Sequence, residues 1–147
     1  MLSSLLLLLS LICFSPTQEL QVASATSLKD FYTKKVHVHV ANGLSNNKTF
    51  VRVHCQSKDD DIGYHDLYIK QEIQWSFKMN WIDTTLFFCH FWWNNFDTSF
   101  DVFNASFGQA NCGQDPNICY WLVKEDGFYF SGKEHPTPND FSLVNNW

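Results

Sequence analysis

The chain reads as a small all-β protein, an antiparallel β-sandwich of about seven or eight strands stabilised by two disulfides. Three observations predict this. Short runs alternate apolar and polar residues with period two, and clusters of Gly, Asn, Asp or Pro separate them. The runs are rich in β-branched and aromatic residues, with Phe, Trp and Tyr at 17% of the chain, which suits packed sheets. Four cysteines follow the first apolar stretch, an even number that fits two bridges in a small exported domain.

The chain opens with an apolar run from Leu2 to Phe14, then polar Ser15-Pro16-Thr17-Gln18-Glu19. That pattern predicts a secretory signal peptide within residues 1–25, cleaved somewhere between 17 and 25, although the usual basic start is missing. Ala23-Ser24-Ala25 satisfies the small-x-small rule at the later exit. The run is shorter than the roughly 18 apolar residues of a membrane span, so the protein is expected not to be membrane-inserted. Residues 26–147 are expected to form a single domain. They carry ten basic and fourteen acidic residues, a net 10 − 14 = −4. This acidic balance gives no reason to expect a nucleic-acid partner.

The elements follow in order. Val36-His37-Val38-His39-Val40 is strict alternation, with valines on one face and histidines on the other, and Asn42-Gly43 turns the chain. Phe50 to Cys55 alternates again, placing Val51, Val53 and Cys55 together. Further strands are predicted at residues 67–69, 73–79, 84–93, 100–105, 119–124 and 128–131. In Phe87-Phe88-Cys89-His90-Phe91-Trp92-Trp93, burial is expected for Phe87, Cys89, Phe91 and Trp93. The opposite parity, Phe88, His90 and Trp92, is left open between a second buried layer and an exposed aromatic face. No stretch carries a capped 3.6-residue stripe, so helix should be minor. The tail, residues 132–147, matches no recognisable element.

The candidates for chemistry are weak. His37 and His39 share a strand face but have no identifiable third metal ligand. The closest cysteine pair is C-x6-C, not the C-x2-C of a structural zinc site. An EF-hand needs oxygen ligands at positions one, three and five before its glycine. Counting back from Gly63 places Lys58, Asp60 and Ile62 there, so Asp59-Asp60-Asp61-Ile62-Gly63 reads as a solvated turn. There is no G-x-S-x-G elbow and no H-E-x-x-H. The sequence therefore predicts no enzyme, no metal and no cofactor. Asn47-Lys48-Thr49 and Asn104-Ala105-Ser106 are N-glycosylation sequons.

One ordered set of motifs resembles the plant self-incompatibility S-protein homologue family. It runs through Asn42-x-Leu44, His54-Cys55-x-Ser57-Lys58-Asp59-Asp60-Asp61-Ile62-Gly63, Trp75-x-Phe77, Thr85-Leu86-Phe87-Phe88-Cys89, Phe91-x-Trp93 and Phe100-Asp101-Val102-Phe103. Cys112, Cys119-x-Trp121 and Asp126-Gly127-Phe128-Tyr129 complete it. The resemblance covers about Lys35 to Tyr129 and implies a secreted, often glycosylated, disulfide-bonded β-sandwich. It also implies that the His54–Gly63 motif is structural. The founding members of that family are stigma-secreted ligands recognised by a pollen membrane partner, and they trigger a calcium-linked rejection of self pollen. Most of its other members have no assigned role.

The expected function is thus an extracellular signalling ligand read by a plant cell-surface membrane protein, with specificity on loops. Those loops are residues 42–48, 58–66, 94–98 and 108–117, with Lys58, Asp59, Asp60, Asp61, Asn94, Asn95 and Asp97 as the leading contact residues. The alternative is a module for carbohydrate or another small ligand, such as cell-wall glycan, stacking sugar on Trp92, Trp81 or Tyr64. For the disulfides, Cys55 and Cys119 both lie in strand-like segments with apolar same-parity neighbours. An inter-sheet Cys55–Cys119 bridge is therefore expected, with Cys89–Cys112 as the second. A Cys112–Cys119 pairing stays open.

Overall fold

The computed structural model describes residues 35–80 and 82–147. The predicted leader and Trp81 lie outside the described residues. Among the described residues nine strands form two sheets. They are β1 (Lys35–Asn42), β2 (Val51–Gln56), β3 (Asp61–Leu67), β4 (Glu72–Lys78), β5 (Leu86–Trp93), β6 (Phe96–Asn104), β7 (Asn117–Lys124), β8 (Gly127–Ser131) and β9 (Ser142–Asn145). One sheet runs β4-β1-β7-β8-β9 and the other β3-β2-β5-β6. A seven-residue helix, α1 (Ala105–Asn111), joins β6 to β7. Its N-cap is Asn104, whose side-chain oxygen accepts from the Phe107 backbone N–H at 2.9 Å.

The alternation read from the sequence sets the faces. Val36, Val38 and Val40 on β1, with Val51, Val53 and Cys55 on β2, are completely buried between the sheets. Phe87, Cys89 and Phe91 follow the same rule on β5, while Trp93 is half-buried. Burying each large apolar side chain contributes about 1.5–3 kcal/mol relative to leaving it in water. Aromatic contacts fill the gap between the layers. Phe91 meets Phe128 at 4.7 Å, Phe100 meets Trp121 at 5.2 Å, and Phe77 meets Phe87 at 4.6 Å between ring centroids.

The sandwich departs from the all-antiparallel expectation at one seam, where β1 and β7 pair in parallel. A parallel pair cannot be joined by a hairpin and needs a long crossover. Here the chain passes through β2 and β3, returns as β4 to the other edge of β1, adds β5 and β6 to the second sheet and comes back through α1 before β7 can pair. The count rises to nine partly because the tail is ordered. Thr137 opens a 3-10 turn at Pro138–Asp140, β9 then adds to β8, and the Trp147 indole donates to the Lys124 carbonyl at 2.8 Å.

The disulfides are Cys55–Cys89 and Cys112–Cys119, so the expected Cys55–Cys119 and Cys89–Cys112 pairing is corrected. Cys55 and Cys89 are direct cross-strand partners on β2 and β5, with Cα atoms 4.0 Å apart. Cys119 faces the same core from the opposite sheet. Cys55 is already bridged to its cross-strand neighbour Cys89, which leaves Cys119 to Cys112. Cys112 is the C-cap of α1 and reaches forward to Cys119, 4.8 Å away.

Candidate functional site

The acidic segment is built by local hydrogen bonds. The Ser57 hydroxyl accepts from the backbone N–H groups of Asp59 and Asp60, at 3.3 and 2.9 Å. The Ser57 N–H donates to the Asp60 carbonyl at 2.7 Å, closing the turn. Asp61 already belongs to β3. Its carboxylate accepts from the Gly63 N–H at 2.8 Å and lies 2.7 Å from His54 Nε2. The backbone bond from Gly63, then the bond with His54, hold the Asp61 carboxyl below its usual range. Gly63 has φ 86°, a left-handed conformation that a side chain would strain, at the bulge between β2 and β3. The motif is thus a hairpin lock, and it leaves Lys58, Asp59 and Asp60 exposed.

Register separates the predicted contact residues. Gln56 pairs with Phe88 at one end of the four-stranded sheet and Arg52 pairs with Trp92 toward the other. Lys58 to Asp60 therefore stand beside the start of β5, whereas Asn94 and Asn95 turn between β5 and β6 at the far end. Asp61 and Asp97 are not loop residues. Asp97 pairs with Trp92 inside β6 and meets the His90 ring. Asn42 is a buried anchor, donating from Nδ2 to the Leu67 carbonyl at 2.7 Å and accepting the Leu44 N–H at 2.8 Å. Residues 108–111, expected in a loop, belong to α1. Alternation could not reveal a helix of two turns.

Concave surfaces form at both ends of the four-stranded sheet and on the five-stranded sheet. At the acidic end, a groove of ≈740 Å³ runs between residues 56–60 and the segment from Phe77 to Phe88. Ile82 and Leu86 are 74% and 38% exposed there, beside the Asp59 and Asp60 carboxylates. Sequence reading missed this groove because Ile82 lies between predicted strands and Leu86 within one, and no local pattern brings either beside residues 56–60.

The second surface answers the open parity of β5. His90 and Trp92 face outward and belong to an aromatic ladder on the four-stranded sheet. His54 stacks on Tyr64 at 4.1 Å, Tyr64 approaches Trp92 at 6.0 Å, and Trp92 stacks on His90 at 3.9 Å. Tyr64 is 67% exposed. A cavity of ≈490 Å³ opens beside the ladder, lined by Phe50, Arg52, Tyr64, Trp92, Lys48 and Asn94 among others. Arg52 is fixed by a two-pronged contact to Asp66, from Nε at 2.7 Å and Nη2 at 2.9 Å, which lowers the Asp66 carboxyl pKa.

The third lies on the five-stranded sheet. His37 and His39 line a groove of ≈580 Å³ with Glu72, Tyr120 and His135. His39 stacks on Tyr120 at 4.9 Å, and Tyr120 donates to Glu72. Burial, then the Glu72 carboxylate, raise the Tyr120 pKa. Among the described residues, no three His, Cys, Asp or Glu side chains are arranged to hold a metal ion. Asn47 is exposed, whereas Asn104 is half-buried as the cap of α1.

Comparisons with known proteins agree with this architecture. The family model described as plant self-incompatibility protein S1 matches residues 37–147. S-protein homolog 29 of Arabidopsis thaliana is 38% identical over 98 residues, covering 67% of this chain and 69% of the relative. S-protein homolog 21 of the same plant is 32% identical over 117 residues, covering 79% and 88%. Self-incompatibility protein S1 of Papaver rhoeas is 26% identical over 109 residues, covering 74% and 77%. A solved structure of an SPH (self-incompatibility protein homologue) protein superposes with a TM-score of 0.56 at 20% identity, over 78% of this chain and 95% of that one, supporting the fold. Matched by the family model from His37 in β1 to Trp147, the chain belongs to the plant self-incompatibility protein S1 family.

Proposed function

We propose that the protein is a secreted, non-enzymatic extracellular ligand read by a protein of the plant cell surface. Family membership supports this, together with the solved neighbour's description as one of a group of small, highly stable, secreted plant proteins. The poppy relative is named for self-incompatibility, so pollen rejection is one role the reading includes. On this reading residues 1–25 are removed on export, residues 26–147 form the mature domain, and Asn47 and Asn104 are its glycosylation sites. The observation that carries the proposal is the groove beside the acidic turn. It joins exposed apolar side chains to a carboxylate rim on a disulfide-pinned hairpin. That combination of a rigid frame and an apolar patch with a charged edge is what a protein partner recognises.

The test is binding of the purified, oxidised protein, at nanomolar concentration, to plant cells that include pollen. Saturable binding that disappears after mild surface proteolysis is the expected result. Binding unaffected by proteolysis would overturn the reading.

A second reading, a carbohydrate-binding module, is favoured by the exposed Tyr64 and the outward Trp92 beside a cavity. Its test is binding to a glycan array that is lost in Trp92→Ala with the fold intact.

A further inference from the structure

We infer that the cavity beside the aromatic ladder is a site for an acidic sugar, a short oligosaccharide of hexuronic acid. The inference rests on the carbohydrate reading above and adds the chemical class of the sugar.

The cavity is lined by Arg52 of β2 and by Trp92 and Trp93 of β5, the two inner strands of the four-stranded sheet. Their backbone groups are committed to ladders on both sides, so a peptide cannot dock here by adding a strand. Recognition must pass through side chains. A pyranose ring suits that demand, because its C–H face packs on aromatic rings and its hydroxyls bond to side chains alone.

The whole chain has a formal net charge of −5, yet both charged side chains lining this cavity, Lys48 and Arg52, are cations. Asp66 offsets Arg52 and fixes the guanidinium through Nε and Nη2. Among the described residues Lys48 makes no ion pair through its ammonium, so one positive charge is uncompensated at the rim. A cation beside exposed aromatic rings in an otherwise acidic protein complements a ring carrying a carboxylate.

The Trp93 indole is engaged with Thr49 Oγ1 at 3.2 Å, which ties β5 to the strand-entry loop and holds Lys48 at the rim. The Arg52 guanidinium also lies 5.7 Å from the Phe50 ring centroid, which keeps that side of the cavity assembled without a ligand.

Asn47 adjoins Lys48, so a glycan attached there would stand at the same rim. The experiment therefore uses the full secreted chain carrying Asn47→Gln. It is titrated with a hexamer of galacturonic acid and with a hexamer of galactose, at low and at high salt, following tryptophan fluorescence and heat. The acidic hexamer is expected to bind and the neutral one to bind at least about tenfold more weakly. High salt should weaken the acidic complex. Lys48→Gln should weaken it about fivefold, and Trp92→Ala about tenfold, with near-ultraviolet dichroism confirming the fold of each. Equal binding of both hexamers, insensitive to Lys48→Gln, would overturn the acidic-sugar inference and leave the carbohydrate reading standing. Binding of neither hexamer, with the array also silent, would overturn both.

Discussion

The Trp121 indole N–H donates to the Val102 carbonyl at 2.9 Å, joining β7 of one sheet to β6 of the other through the core. Trp121 also packs against Phe100, Phe107 and Phe130. Trp121→Phe would keep much of that packing but leave a buried carbonyl without its donor. The expected cost is about 2–3 kcal/mol, from the lost bond and the smaller ring. Urea unfolding checks it, and a loss well under about 1 kcal/mol would mean the bond contributes little to holding the sheets together.

The two disulfides should differ in weight. Cys55–Cys89 spans 34 residues and Cys112–Cys119 only 7. Loop-closure entropy then gives about 4 kcal/mol for the first and about 2 kcal/mol for the second. Double alanine replacement at Cys55 and Cys89 should lower the unfolding midpoint more than the same change at Cys112 and Cys119. Mass mapping of the non-reduced digest should recover Cys55 joined to Cys89. A Cys55–Cys119 peptide would contradict the register of β2 and β5.

Acid should weaken the contacts that hold the tail. The hydrogen bond from Lys133, then those from the Thr137 hydroxyl and backbone, lower the Asp140 carboxyl to about 2. A depressed carboxyl contributes stability that is present above its unfolded value of about 3.9 and lost as pH falls through the folded value. Asp61 and Asp66 are shifted in the same direction. The melting temperature should therefore fall between about pH 4 and about pH 2, and less steeply in Asp140→Asn. Parallel curves for the two proteins would contradict a role for this carboxylate. Its exposure to solvent keeps the effect modest.

Gly127 determines whether β9 can dock. Its φ is 146°, and a Cβ there would lie 2.3 Å from the Asn145 carbonyl oxygen. Gly127→Ala should cost about 1–3 kcal/mol and push β9 away from β8. The Trp147 ring, packed on Phe128 at 4.6 Å and on Trp93 at 5.6 Å, would then move toward water. A red shift in tryptophan emission reports that movement; an unshifted spectrum with full stability would show that the strand tolerates the Cβ.

Much of the fold was legible because alternation is a direct consequence of strand geometry. Val36, Val38 and Val40 announced the inner face of β1, and the run from Asp59 to Gly63 announced a turn. The disulfides were misread because apolar parity reports which face a cysteine occupies and is silent about which sheet it belongs to. Only the β2–β5 register places Cys55 opposite Cys89. The parallel β1–β7 seam has no local signature, since it depends on where a distant strand returns. The tail was missed for a different reason. Leu143 and Val144 are exposed, so β9 carries no buried stripe, and Trp147 is anchored by a hydrogen bond to the Lys124 carbonyl, which no sequence pattern announces. Of the candidate site, the acidic turn was visible from composition. Its neighbourhood with Ile82 and Leu86 was not, because it arises from the meeting of two separate segments.

The central claim is that a cell-surface protein reads the groove beside that turn, and a binding comparison tests it most directly. Wild type, the triple variant Asp59→Asn/Asp60→Asn/Leu86→Ser and Trp92→Ala would be titrated onto the same plant cells. All three proteins must first show the same disulfides and thermal unfolding within a few degrees. The account predicts that the triple variant loses about tenfold or more in protease-sensitive binding while Trp92→Ala keeps it. Full binding by the triple variant would contradict the account, and its loss in Trp92→Ala would move recognition to the aromatic ladder.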